Sequence, residues 1–133
     1  MIRENDKIDT RMLSPVQLAY IGDAVYELLV RTYIITNKEL TINKMHKSAV
    51  DFVKAETQAY YIKKIEDKLT EEEKDIVRRG RNCKSTPPKN ADFMDYKYAT
   101  GFEALIGYLY LRQDKERIFQ LFDLILSIEE EWN

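Results

Sequence analysis

Two carboxylates in this chain stand where hydrophobic patterning alone asks for none. Asp23 follows a glycine in Leu18-Ala19-Tyr20-Ile21-Gly22-Asp23-Ala24-Val25, and Glu103 lies between two glycines in Thr100-Gly101-Phe102-Glu103-Ala104-Leu105-Ile106-Gly107-Tyr108. Both segments read as helices, and a glycine inside a helix costs roughly 1 kcal/mol relative to alanine. Its presence there implies that another backbone or a ligand comes close. If the two glycine-bearing helices cross tightly, Asp23 and Glu103 converge on one point. Converging oxygens without nearby Cys or His favour a hard cation, Mg²⁺ with Mn²⁺ as a substitute, over zinc. Such an ion completes its shell with water and substrate phosphate. The alternative is that both acids are ordinary partly exposed side chains, or that they pair with Arg31 or Arg112.

A second chemical feature is a basic island. Between Ile76 and Ala91 stand Arg78, Arg79, Arg81, Lys84 and Lys89 with no acidic residue, so a net charge of −2 for the whole chain conceals a segment of +5 against a remainder of −7. A local patch of this kind can grip a phosphate backbone by ion pairing and counterion release, whereas the total charge argues against a bulk positive field. Other reactive residues carry less. Glu27, one turn after Asp23, either supports that carboxylate or pairs with Arg31 four residues on. His46, between Lys44 and Lys47, reads as a surface histidine, and Cys83 has no visible catalytic or resolving partner. Tyr20, Tyr26, Tyr33, Tyr108 and Tyr110 sit in apolar helices and are expected to pack.

These side chains need a scaffold, and the remaining pattern describes one built from helices. The chain has 133 residues, of which 44% are hydrophobic and 33% charged, with four Gly and three Pro. That suits one compact domain over residues 1–133 and is too poor in turn formers for an all-β fold. One cysteine excludes an internal disulfide framework and a thiolate zinc cluster. The polar N-terminus lacks a signal-peptide core, and apolar runs such as Ala104–Leu111 are far shorter than a membrane span, so a soluble cytoplasmic protein is expected.

Ser14-Pro15-Val16-Gln17 opens the first helix with a capping box and a proline at the first turn. Leu18, Ile21, Val25, Leu28 and Leu29 form its core face towards Ile35. A second helical stretch from Thr41 towards Leu69 is long enough to break between Ser48 and Lys54, with Ser48-x-x-Asp51 as a further capping pattern. Thr70-Glu71-Glu72-Glu73 starts a short helix through Val77, with Arg78 and Arg79 at its end and Gly80 as a left-handed stop. A long Pro- and Asn-containing connection, Asn82 to Asp95, precedes a helix over Tyr98 to Arg112. Asp114 caps a final helix with Ile118, Leu121, Phe122, Ile125 and Ile128 inward. The predicted fold class is all-α.

In this combination Tyr20-Ile21-Gly22-Asp23-Ala24-Val25 resembles the second half of the ribonuclease III signature. Phe102-Glu103-Ala104-Leu105-Ile106-Gly107, with the following Tyr108-Leu109-Tyr110-Leu111, resembles that family's second catalytic helix. The likeness runs from about Leu13 to Leu126. The absence of room for a double-stranded-RNA-binding domain narrows it to the short bacterial branch, Mini-ribonuclease III, whose substrate loop Arg79-Gly80-Arg81-Asn82 and Pro88-Lys89-Asn90-Ala91 resemble.

The resemblance implies an all-α endonuclease domain acting as a symmetric homodimer, with the signature helices at the interface and double-stranded RNA across a shared face. It further implies Asp23 and Glu103 as catalytic metal ligands, Arg78, Arg79, Arg81, Lys84 and Lys89 as substrate-binding residues, and hydrolysis leaving 5′-phosphate and 3′-hydroxyl ends. A role in maturing the large-subunit (23S) ribosomal RNA precursor is implied as well. The chain departs from the full pattern at Ala19 and Thr100, where the larger enzymes carry two further carboxylates, and at Val16, where they carry a signature glutamate. The rival reading is a non-catalytic dimeric RNA-binding or scaffold protein that keeps the fold.

Overall fold

A computed structural model describes residues 1–84 and 86–132, and every described regular element is helical. Six α-helices follow two short 3₁₀ turns: α1 (Pro15–Asn37), α2 (Ile42–Val53), α3 (Ala55–Ile65), α4 (Glu71–Asn82), α5 (Phe93–Leu111) and α6 (Lys115–Trp132). The expected all-α class holds.

Helix α5 runs through the middle, and α1, α3, α4 and α6 pack around it. Its residues Ala99 to Leu109 are buried on every side except at Glu103, as befits a helix that is apolar all round. The core closes on aromatic edges: Tyr26 meets Phe102 at 4.8 Å between ring centres and 89° between planes, and Tyr26 also approaches Phe122 at 6.3 Å. The buried Tyr26 hydroxyl donates to the Phe52 carbonyl at 3.4 Å.

Local signals start the helices as expected. Ser14 Oγ accepts from Gln17 N and Gln17 Oε1 accepts from Ser14 N, closing the predicted box on α1. Thr70 and Glu73 form the same box on α4. There Glu73, only 4% exposed, also accepts from Arg117 Nε and Nη2, both at 2.8 Å, while Arg117 Nη2 donates to Lys68 O at 3.0 Å. Burial pushes the Glu73 carboxyl up, but the Arg117 guanidinium and the Thr70 bonds outweigh it and hold it low. This pair ties the start of α4 to α6 and so sets the direction in which α4 carries its arginines.

Several boundaries and faces differ from the sequence reading. The long second stretch does break within the expected Ser48–Lys54 window, at Lys54, whose ψ of 150° ends α2, but Ser48 lies inside α2 and not at a helix start. Helix α4 continues five residues past Val77, so Arg78, Arg79 and Arg81 ride on a helix, and Gly80 is an interior residue, not a stop. No glycine has positive φ. Helix α5 begins at Phe93 because Asp92 caps it, accepting from Asp95 N at 2.9 Å. Tyr20 is 83% and Leu28 49% exposed, because α1 turns Leu18, Gly22, Val25, Tyr26, Val30 and Ile34 inward and these two point away from that stripe. With Val16 and Ile35, also exposed, they leave an apolar strip on the outer side of α1.

Candidate active site

Two glycine crossings build the site. A Cβ on Gly22 would lie 1.7 Å from the Glu103 carbonyl oxygen and 2.7 Å from Gly107 N, and one on Gly107 would lie 1.9 Å from the Leu18 carbonyl oxygen. Helices α1 and α5 therefore touch backbone to backbone, as the mid-helix glycines led us to expect. A second crossing sets α4 on α5, where a Cβ on Gly80 would come 2.7 Å from Gly101 Cα.

Because Gly22 rests on the Glu103 backbone, the next residue, Asp23, is delivered to the Glu103 side chain. The two carboxyls share a hydrogen bond, donated by the neutral Glu103 carboxyl. Burial, the Asp23 charge and that bond push Glu103 up to about 8, while the side-chain amide of Gln58 on α3 acts in the opposite direction. The alternative pairings do not form: Arg31 donates to Glu27 at 2.8 Å, and Arg112 lies 3.6 Å from Glu72. Glu27 is thus committed to Arg31.

Two carboxyls pressed together, one of them holding a proton because it is buried and its neighbour is charged, form an arrangement that a cation relieves. The donor set is all oxygen, and among the described residues no third His, Cys, Asp or Glu joins the pair and no group of three gathers anywhere else to hold a metal. The pair fits a hard divalent ion that draws its remaining ligands from solvent and phosphate.

The protonation of Glu103 makes a prediction about stability. The folded protein keeps this proton up to about pH 8 and the unfolded chain releases it near 4.5, so the stabilising contribution is full below 4.5 and is lost as pH rises through 8. In chelator, melting temperature is expected to fall between about pH 5 and pH 8, and Glu103→Gln to flatten that fall in circular-dichroism melts. A wild-type profile retained by Glu103→Gln would contradict the assignment.

The basic residues fall into three settings. Arg78 and Arg79 are exposed on α4, Arg78 being bonded to Asp75. Arg81 is half-buried, its guanidinium 5.0 Å from the Tyr98 ring centre and donating to the Tyr98 hydroxyl at 3.4 Å. Lys84 and Lys89 are exposed in the connection between α4 and α5. Lys63 of α3 joins this cluster, its Nζ 4.4 Å from the same Tyr98 ring centre. Sequence reasoning overlooked Lys63, Tyr98 and Gln58. For Gln58 a signal was present: it occupies the stripe shared by Ile62 and Ile65, where a polar residue is out of place.

His46 is exposed, and the Cys83 thiol donates to Gly80 O at 3.0 Å. No described helix is long and apolar enough to cross a membrane.

Residues 16–114, which hold both crossings and the carboxyl pair, match the Ribonuclease III domain family. The chain belongs to the ribonuclease III family. Similar proteins include the Mini-ribonuclease 3 of Clostridium tetani, 50% identical over 96% of this chain and 86% of its own length. That of Thermoanaerobacter sp. is 54% identical over 90% of this chain and 84% of its own. A crystal structure of a Fusobacterium nucleatum protein superposes with a TM-score of 0.82 at 36% identity, covering 91% of this chain and 98% of that one. As a ribonuclease III family member of the Mini-ribonuclease type, this chain is an endoribonuclease, and the Asp23–Glu103 pair is its candidate catalytic centre.

Proposed function

We propose that this ribonuclease cuts double-stranded RNA as a symmetric homodimer of a single catalytic domain over residues 1–133, with Mg²⁺ or Mn²⁺ held by Asp23 and Glu103. Its substrate is a stem of the large-subunit (23S) ribosomal RNA precursor in the cytoplasm. The observation that carries the reading is the delivery of Asp23 onto Glu103 by the Gly22 crossing, within the segment that matches the family. The exposed apolar strip Val16, Tyr20, Leu28 and Ile35 on α1 supports the dimer, since a second copy would bury it.

Asp23 and Glu103 would hold the divalent ion, which would supply Lewis acidity at the scissile phosphate and lower the pKa of water there. The chain itself does the rest. Asp23 and Glu103 are both ionised when the ion is bound. Arg78, Arg79, Arg81, Lys84 and Lys89 hold the flanking phosphates, with Arg81 aimed by Tyr98. A wide, shallow A-form minor groove suits recognition by such a face, and two basic segments per dimer bind with avidity. The products carry 5′-phosphate and 3′-hydroxyl ends.

The non-catalytic scaffold reading draws on Ala19 and Thr100, the positions lacking the family's further acids. Both are buried, and the Thr100 hydroxyl is spent on Tyr96 O at 2.9 Å. Cleavage of duplex but not single-stranded RNA, with the stated end groups, would exclude it; binding without cleavage would favour it.

Binding has its own test. Arg79→Glu with Lys89→Glu is expected to weaken duplex binding at least about tenfold and to reduce the slope of log K against log salt by about 1 for each phosphate ion pair removed. Unchanged affinity and slope in filter binding would move the RNA to another face.

A further inference from the structure

Gln58 is 1% exposed, an amide buried on the apolar stripe of α3. A buried amide is destabilising unless its polar atoms are paired, so its bonds indicate what it is for. Helix α2 ends at Val53 because the backbone turns extended at Lys54, and Gln58 Nε2 donates to the carbonyl so released, Val53 O, at 2.7 Å. The Gln58 main chain is fixed to the same turn, its N donating to Lys54 O at 3.0 Å. The same amide also lies against the Glu103 carboxyl on α5, which it holds down against the upward push of burial. Its Oε1 has no hydrogen-bond partner.

Capping α2 accounts for one amide hydrogen and leaves the rest of the group unexplained. An isolated buried acceptor is destabilising, and an apolar side chain here would avoid that penalty. The amide instead links a rigid helix junction to one member of the carboxyl pair. Three helices thus define the site: Asp23 from α1, Glu103 from α5, and Gln58 from α3.

We infer that Gln58 is the positioning residue of this site, its amide anchored at Val53 O and holding the Glu103 carboxylate in the orientation that takes a divalent ion together with Asp23. This rests on the reading of Asp23 and Glu103 as metal ligands and extends it to a third helix, at a chain position where no acid is needed.

The test is direct Mn²⁺ binding to the full chain, read as free Mn²⁺ by electron paramagnetic resonance, for wild type, Gln58→Leu and Gln58→Asn. The shorter amide of Gln58→Asn cannot span both partners. Each variant that melts cooperatively is expected to raise the Mn²⁺ dissociation constant about tenfold or more. The Mn²⁺ concentration for half-maximal duplex cleavage should rise in parallel, with KM for RNA unchanged. In a Glu103→Gln background the Gln58 effect on Mn²⁺ binding should vanish, since it acts through Glu103. A role confined to capping α2 would lower melting temperature and leave Mn²⁺ affinity unchanged, overturning the inference; so would a wild type that binds no Mn²⁺. Wild type that binds Mn²⁺ yet cuts no duplex RNA would refute the proposed function alone.

Discussion

Replacing Gly22 with alanine is expected to lower the melting temperature by on the order of 10 °C and cleavage by about 100-fold. The sign is the informative part. In an isolated helix Gly→Ala stabilises by roughly 1 kcal/mol, so a fold that used Gly22 only as a helix residue would gain. Here the added methyl would lie 1.7 Å from Glu103 O, a main-chain atom of the central helix, and 2.7 Å from Gly107 N. Neither can rotate aside, so α1 and α5 must move apart. Overpacking of this kind costs about 1–3 kcal/mol and occasionally more, and backbone pressed on backbone puts this one at the upper end. The same displacement separates Asp23 from Glu103. A stabilised Gly22→Ala protein with wild-type cleavage would show that the crossing does not position the pair.

Asp23→Asn is expected to abolish cleavage, by about 10³-fold or more, with the fold intact. Asp23 is exposed, so an isosteric amide disturbs no packing, while on the proposed reading the divalent ion would lose one of its two carboxylate ligands. Stability should change in a way that ordinary surface substitutions do not. Burial is the largest cause of the raised Glu103 pKa and stays; the Asp23 charge is the next and goes. Glu103 should therefore ionise at lower pH in the variant, and without metal the variant should be more stable than wild type near pH 8. On the proposed function, two acids are kept together for an ion to use, and function opposes stability. Cleavage assays and melts in chelator read both effects.

How far the sequence foretold this follows from how local each cause is. The boxes at Ser14 and Thr70 and the cap at Asp114 depend on residues three apart and were legible. So were Gly22, Gly101 and Gly107 as marks of close approach, although not which helix approaches which. Gly80 misled because two arginines followed by glycine is also how helices end; only Gly101 across the interface explains an interior glycine. Tyr20 and Leu28 were misplaced because α1 is apolar on more than one side, and the pattern does not distinguish the face that meets α5 from the outer one. Gln58 was missed because its partners are 5 and 45 residues away in sequence, at Val53 and Glu103, and only the packing of α3 against α5 brings the second within reach.

The claim that Asp23 and Glu103 form a metal-dependent centre is tested most directly by titrating Mg²⁺ into chelated enzyme with duplex RNA and following 5′-phosphate ends, for wild type and Asp23→Asn side by side. The expected result is no cleavage in chelator, saturable cleavage by wild type as Mg²⁺ is added, and none by the variant at any Mg²⁺ concentration that saturates wild type. Cleavage of duplex RNA by Asp23→Asn at the wild-type rate, or by wild type in chelator, would contradict it.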